Sequence, residues 1–317
     1  MADTVTIRPY RDTDLDEVLD LMRLTLGETA QLQRTPALFA WKHLDNPFGR
    51  SIMLVAETEG QLVGFRALMR WELLTPHGDI VKCARPVDTA THPRFQRRGI
   101  FRRLTLEALD IAIGEGVEVV FNTPNKRSGA GYAAMGWIEV GRIEVLLRPS
   151  LRMMRRSDRD RQIPEPAEII RDPRPAEDLA PVRRSARGLT TRRDSAYVNW
   201  RFARHPTARY SVVGNGDGQA VLRPNLRRGR RELVISDMFG SQPRVAARAA
   251  RRNSHPDYLV ASFQRGTPER TALIRSGLFP VPGLNALTLY VRPLVALPND
   301  ATSMSAWDLT LSDLELL

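Results

Sequence analysis

The chain has 317 residues, a single cysteine, 47 basic against 36 acidic side chains and a formal net charge of +11. That length suits two domains of about 150 residues, each able to bury its own core. No apolar run approaches the roughly 18 residues that span a bilayer. The lone Cys83 cannot form an intrachain disulfide, and the five scattered histidines leave no Cys/His cluster for zinc.

The opening residues, MADTVTIRPYRD, carry neither a basic n-region nor an apolar h-region, so a cytoplasmic chain without membrane or metal partners is expected. The basic excess is uneven. Residues 1–150 hold 19 basic and 19 acidic side chains, which leaves the whole +11 in residues 151–317. Arginine pairs such as Arg192-Arg193, Arg227-Arg228 and Arg251-Arg252 are dispersed among acidic and apolar residues. With no aromatics interleaved to stack bases, they read as a solvated face in preference to a nucleic-acid surface.

In chain order, Val5 to Arg8 is a short strand, and Leu15, Val18, Leu19, Met22 and Leu26 follow at helical spacing. Thr35-Pro36 is a cap with proline at the first helical position, and that helix stops before Asn46-Pro47. Residues 51–57 and 61–70 form a hairpin across Thr58-Glu59-Gly60, and 71–75 and 80–91 a second across Pro76-His77-Gly78. A charged loop, a helix with Ile100, Leu104, Ala108, Ile111 and Ala112 on its apolar face, and a buried strand from Val117 to Phe121 come next. A short helix from Lys126 to Met135 and a strand from Trp137 to Leu147 complete the first half. The fold class is α/β (α+β), a mixed, mainly antiparallel sheet flanked by helices.

The pattern then repeats loosely. Trp41-Lys42-His43-Leu44-Asp45-Asn46-Pro47 is echoed by Trp200-Arg201-Phe202-Ala203-Arg204-His205-Pro206, and each half ends in a strand-like run closed by Arg-Pro, at 145–149 and 289–293. Two copies of one domain are expected, at 1–150 and 166–295, joined by a linker at 151–165 and followed by a tail at 296–317.

Chemistry concentrates in two stretches. Thr91-His92-Pro93-Arg94-Phe95-Gln96-Arg97-Arg98-Gly99-Ile100-Phe101 lies between a strand and a helix. Free amides at a helix N-terminus, beside arginines and a glycine that lets backbone approach, make an anion site. The stretch resembles the pyrophosphate loop of the GNAT N-acetyltransferase superfamily, Gln/Arg-x-x-Gly-x-Gly/Ala. Gln96 and Gly99 match, while Phe101 stands where a small residue is usual. The second stretch, Asn125-Lys126-Arg127-Ser128-Gly129-Ala130-Gly131-Tyr132-Ala133-Ala134-Met135-Gly136-Trp137, resembles the family's closing motif, an Asn ahead of a short tyrosine-bearing helix that ends in Gly-aromatic.

The resemblance implies an acyl-CoA-dependent N-acyltransferase, with acetyl-CoA bound through Thr91, Gln96, Arg97, Arg98, Gly99, Ile100 and Phe101 and through Asn125 and Ser128. It further implies that Tyr132 protonates the departing thiolate. Asp88, in the strand leading to the loop, is the candidate base, with Glu72 and Glu139 as alternatives and His92 assigned to the turn. The acceptor is expected to be a primary amine of a small molecule or peptide, such as an amino sugar, an aminoglycoside-like amine, a polyamine or a peptide N-terminus. The second copy lacks both the loop, reading Phe239-Gly240-Ser241-Gln242-Pro243-Arg244, and the tyrosine, so it is expected to be empty and to shape the acceptor pocket. The acidic C-terminal run 307–313 is expected to serve a cationic acceptor. Two other classes remain open on the sequence: a transferase taking an aminoacyl group from tRNA, and a non-catalytic acyl-CoA-binding module.

Overall fold

The computed structural model describes residues 4–29, 32–125, 128–151, 162–179, 187–282, 287–296 and 300–314. The linker residues 152–161 and Lys126-Arg127 of the second motif therefore lie outside the described residues. The chain divides into two compact units: 1–73, 80–140 and 289–302 form the first, and 74–79, 141–288 and 303–317 the second.

The first unit is built from β1 (Thr6–Pro9), α1 (Leu15–Leu26), α2 (Pro36–His43), β2 (Ile52–Thr58), β3 (Gln61–Leu74), β4 (Ile80–Thr91), α3 (Ile100–Gly114), β5 (Val119–Asn122), α4 (Gly129–Ala133) and β6 (Ile138–Arg142). The second has β7 (Leu146–Pro149), α5 (Pro166–Ile169), β8 (Arg174–Pro175), β9 (Thr190–Thr191), α6 (Ser195–Val198), β10 (Ser211–Asn215) and β11 (Gly218–Arg227). It continues with β12 (Arg230–Phe239), α7 (Pro243–Arg252), β13 (Tyr258–Ala261), α8 (Pro268–Arg275) and β14 (Phe279–Pro280). The chain then returns to the first unit with β15 (Thr288–Pro293), and α9 (Leu311–Leu314) ends the described part of the second.

The first sheet runs β1-β2-β3-β4-β5-β15-β6 and the second β14-β7-β13-β12-β11-β10-β8. Both are mixed: β4–β5 and β12–β13 pair parallel, whereas β1–β2, β2–β3, β10–β11 and β11–β12 pair antiparallel. The expected boundaries at 150 and 166 differ from these units for a topological reason. The two Arg-Pro strands are exchanged: β15 pairs β5 with Val291 opposite Phe121, and β7 pairs β13 with Leu147 opposite Val260. The strand expected from Trp137 to Leu147 is accordingly two strands in different sheets, β6 ending at Arg142 and β7 starting at Leu146, with residues 143–145 between them.

Local signals act as their chemistry dictates. Thr35 Oγ1 accepts from the Leu38 amide at 3.2 Å and Pro36 opens α2. Glu59 and Gly60, at φ +49° and +76°, turn β2 into β3. The expected break at residue 70 is absent, because β3 runs unbroken for 14 residues. Gly64 on β3 decides where α3 sits. A Cβ there would lie 2.8 Å from Ile100 Cγ2 and 2.9 Å from Leu104 Cδ1, so only a hydrogen lets the first turns of α3 rest on the sheet. Among the described residues no helix is long and apolar enough to cross a membrane.

The acidic C-terminal run differs from its expected role. Asp313 is fully buried within the second unit and paired with Arg193 at 2.7 Å, so its charge is already matched by the protein. Arg193 also holds Asp237, at 2.6 Å.

Candidate active site

The site is set by what happens to β4 after Ala84. Its described parallel pairing with β5 covers only Cys83–Ala84 opposite Val119–Val120. Beyond it Pro86 offers no amide to the ladder, and Asp88 adopts φ +46°. On its other side β5 stays paired, Asn122 opposite Tyr290 of β15. The two parallel strands thus part toward the end that leads into the loop.

There, His92 Nδ1 accepts from the Arg94 amide at 3.3 Å, which fixes it in the turn. Gln96 Nε2 donates to the Thr91 carbonyl at 3.2 Å, and Arg98 stacks over Phe95 at 4.9 Å. Arg97 and Gly99 both have positive φ, +62° and +76°. Gly99 caps α3 without any side-chain hydrogen bond to the helix, and the Arg103 amide bonds back to the Gly99 carbonyl at 3.0 Å. The amides ahead of Arg103 have no carbonyl four residues back to receive them within the helix. A Cβ on Gly99 would meet no atom within 4 Å. An uncapped helix N-terminus with open space at its glycine and exposed Arg97 and Arg98 beside it fits a pyrophosphate.

Phe101 continues from this loop to the second motif. Its ring meets the Tyr132 ring edge-on at 5.5 Å, and Gly131 receives its bulk, since a Cβ there would lie 3.1 Å from Phe101 Cε1. The glycine on α4 offsets the large residue at the loop's sixth position. Tyr132 is buried and packed on Trp137 at 5.0 Å, and the turn that follows α4 closes at Gly136 with φ +89°. Arg292 of β15 supports the helix by donating to the Met135 carbonyl at 2.6 Å. Asn125 Oδ1 accepts from the Ser128 amide at 3.0 Å, so this pair shapes the turn before α4.

The residue that the sequence reading passed over is Arg66. It stands alone in the apolar run Leu62 to Met69, and a single cation amid such residues is a signal in itself. Arg66 is fully buried, donates through Nη1 to the Tyr132 hydroxyl at 2.8 Å and to Thr89, and lies over the rings of Phe101 and Tyr132 at 5.6 and 5.4 Å. Its Nε and Nη2 are buried without a hydrogen-bond partner among the described residues.

Asp88 lies in β4 ahead of the loop, as expected, but in a cage. Lys42 Nζ reaches it at 2.8 Å, His43 Nε2 at 3.1 Å and Arg34 Nη1 at 3.3 Å. Burial alone would push its pKa up; Lys42 and His43 outweigh that and hold the carboxyl well below the usual range. A carboxylate so held is a poor proton acceptor, which argues against the base role and for a structural one. His43 is itself pushed down by burial, against the pull of Asp88. Since Asp88 can only accept, His43 carries its proton on Nε2, and Nδ1 accepts from Ser51 Oγ at 3.0 Å. Of the alternative bases, Glu139 already accepts from the Tyr290 hydroxyl at 2.7 Å, and Glu72 lies half-buried on β3.

Solved structures share this fold. A GCN5-related N-acetyltransferase from Anabaena variabilis aligns over 92% of this chain and 73% of its own at 12% identity, with a TM-score of 0.63. One from Kribbella flavida aligns over 92% and 71% at 14% identity, with a TM-score of 0.62. Eis1 from Mycobacterium abscessus aligns over 92% and 73% at 16% identity, with a TM-score of 0.56. No curated protein sequence matches the chain. Residues 6–140 match the family model of the acetyltransferase (GNAT) domain. That segment, which holds both the Gly99 turn and Tyr132, is similar to GNAT acetyltransferase domains.

Proposed function

We propose that the protein is an N-acyltransferase that takes an acyl group, acetyl in the first instance, from acyl-CoA and passes it to a primary amine of a small molecule or peptide. Acyl-CoA supplies the thioester that the amine attacks, with CoA leaving as its thiolate. The observation that carries the reading is the contact of Phe101 with Tyr132 at 5.5 Å. It supports the reading by bringing the phenol of α4 next to the Gly99 turn at the start of α3.

The roles of the chain follow from that placement. The amides of α3 around Gly99 hold the pyrophosphate, with Arg97 and Arg98 adding positive charge. The parted ends of β4 and β5 leave backbone groups for an extended chain to pair with. Tyr132 holds the proton on its hydroxyl that the leaving thiolate takes up. Its oxygen already accepts from Arg66 Nη1, which leaves the hydroxyl proton free to point away from the arginine and be donated. Arg66 also stands beside the oxygen from which the proton departs, where a positive charge favours the transfer.

A thiol-release assay with acetyl-CoA over a panel of amino sugars, polyamines and peptides tests the reading. Amine-dependent release that Tyr132→Phe suppresses supports it. Tight CoA binding with no release above the hydrolytic background over the whole panel would overturn catalysis and leave a binding module.

A further inference from the structure

In the second unit, α7 and α8 flank an open cavity of about 380 Å³ lined by Arg244, Arg248, Ala272, Arg275 and Ser276. That volume is within the range of small-molecule sites, about 300–1,000 Å³. α7 is built as a rigid platform for it. Ala246, Ala247 and Ala250 are buried, and the helix approaches so closely that a Cβ on Gly218 of β11 would lie 2.4 Å from the Gln242 carbonyl oxygen. Its other face carries Arg244 and Arg248, four residues apart and therefore neighbours on the helix surface.

The charge is one-sided. Arg244, Arg248 and Arg275 make no ion pair or hydrogen bond among the described residues, and no carboxylate lines the cavity. The first turn of α7 holds no acidic residue, so Arg244 stands at the positive end of the helix dipole with nothing to offset it. Several other arginines of this unit are matched: Arg270 on α8 to Glu144 at 2.6 Å, Arg231 to Glu168 at 3.7 Å and Arg209 to Glu165. Three like charges around one cavity repel one another in the empty protein, and an anion of at least two charges turns that repulsion into attraction.

We infer that the cavity between α7 and α8 binds a small phosphate-bearing anion, through the guanidinium groups of Arg244, Arg248 and Arg275. Guanidinium forks match phosphate oxygens in pairs. The lining residues Ala272 and Ser276 offer no aromatic face on which a base of single-stranded nucleic acid would stack. The site is independent of the Gly99 turn, because it belongs to the other unit.

The test is calorimetric titration of the full chain with inorganic pyrophosphate at near-physiological salt, with CoA saturating to occupy the Gly99 turn. One pyrophosphate per chain is expected. Arg248→Gln and Arg275→Gln should each weaken it about tenfold or more, as loss of a charge-assisted hydrogen bond does. The same change of charge at Arg251 and Arg252, which do not line the cavity, should leave affinity unchanged. All these side chains are exposed, so thermal stability should hold in every variant. Absence of binding to the native chain, equal affinity in the cavity variants, or equal loss in the Arg251/Arg252 variant would overturn the site. So would a short RNA that displaces pyrophosphate and weakens alike in all of them, since that behaviour belongs to a diffuse basic face.

Discussion

Arg66 donates to the hydroxyl of Tyr132 at 2.8 Å from a position with no exposure to solvent and no carboxylate partner among the described residues. A buried cation left in this way is unfavourable by itself, and replacing it by an apolar side chain of similar volume is often neutral or stabilising. Its place beside the phenol therefore points to the reaction rather than to the fold.

Tyr132→Phe should lower kcat by about a hundredfold to ten-thousandfold, with acetyl-CoA affinity nearly constant. Arg66→Met should lower kcat by about tenfold to a hundredfold, and the double variant should fall no further than Tyr132→Phe alone, because the arginine acts through the tyrosine. Thermal stability of Arg66→Met should hold or rise. An intact kcat in folded Tyr132→Phe would remove the acid. Additive losses in the double variant would separate Arg66 from it, and lower stability with intact turnover would make Arg66 structural.

At Gly99 the φ of +76° and the open space beyond make two separable predictions. Gly99→Ala should cost about 1–2 kcal/mol of stability through the left-handed backbone alone. Its methyl group would project where the pyrophosphate approaches, so CoA affinity measured by calorimetry should fall by at least about tenfold. Unchanged affinity would move the donor site elsewhere.

The counterpart turn in the second unit is filled by its own chain. A Cβ on Gly240 would lie 2.3 Å from the Asp217 carbonyl oxygen, the Gln242 amide donates to that same oxygen at 2.9 Å, and Pro243 opens α7 without an amide. One CoA per chain is expected in equilibrium dialysis or calorimetry. A stoichiometry of two would show that the second unit binds CoA after all.

The Asp88 cage makes the protein acid-sensitive. His43 has its pKa lowered in the fold, so unfolding takes up a proton below its free value of about 6.5. Stability should therefore fall as pH drops through that value, by at most about 1.4 kcal/mol per pH unit. Asp88, also lowered, adds a second loss below a pH of about 4. Thermal melts from pH 7.5 to 5 should show the first slope in the native protein and a flatter one in His43→Gln. Equal slopes would mean that His43 does not titrate on unfolding.

Gly64→Ala should destabilise the first unit by about 1–3 kcal/mol, since Ile100, Leu104 and Ala56 all crowd the new methyl group at 3.0 Å or less. A lower urea midpoint at unchanged slope would report it. Because α3 carries the Gly99 turn, the same variant should weaken CoA binding.

Features decided within a few residues were legible in the chain. The Thr35-Pro36 cap, the Glu59-Gly60 turn, the glycine ahead of α3 and the Gly136 that closes the turn after α4 each follow from local backbone preference. The two motifs around Gly99 and Tyr132 were legible for the same reason, since each is a short run whose spacing survives folding. What the tertiary structure decided depends on register across long separations. Asp88 meets Arg34, Lys42 and His43 from 54, 46 and 45 residues away, which turned a candidate base into the centre of a charge cage. Arg66 reaches Tyr132 across 66 residues. The strands 146–149 and 288–293 read alike in the sequence, both closing on Arg-Pro, yet they pair in different sheets. Strand pairing is satisfied by any edge of matching pattern, so the choice of edge was made by the fold as a whole and not by the strand.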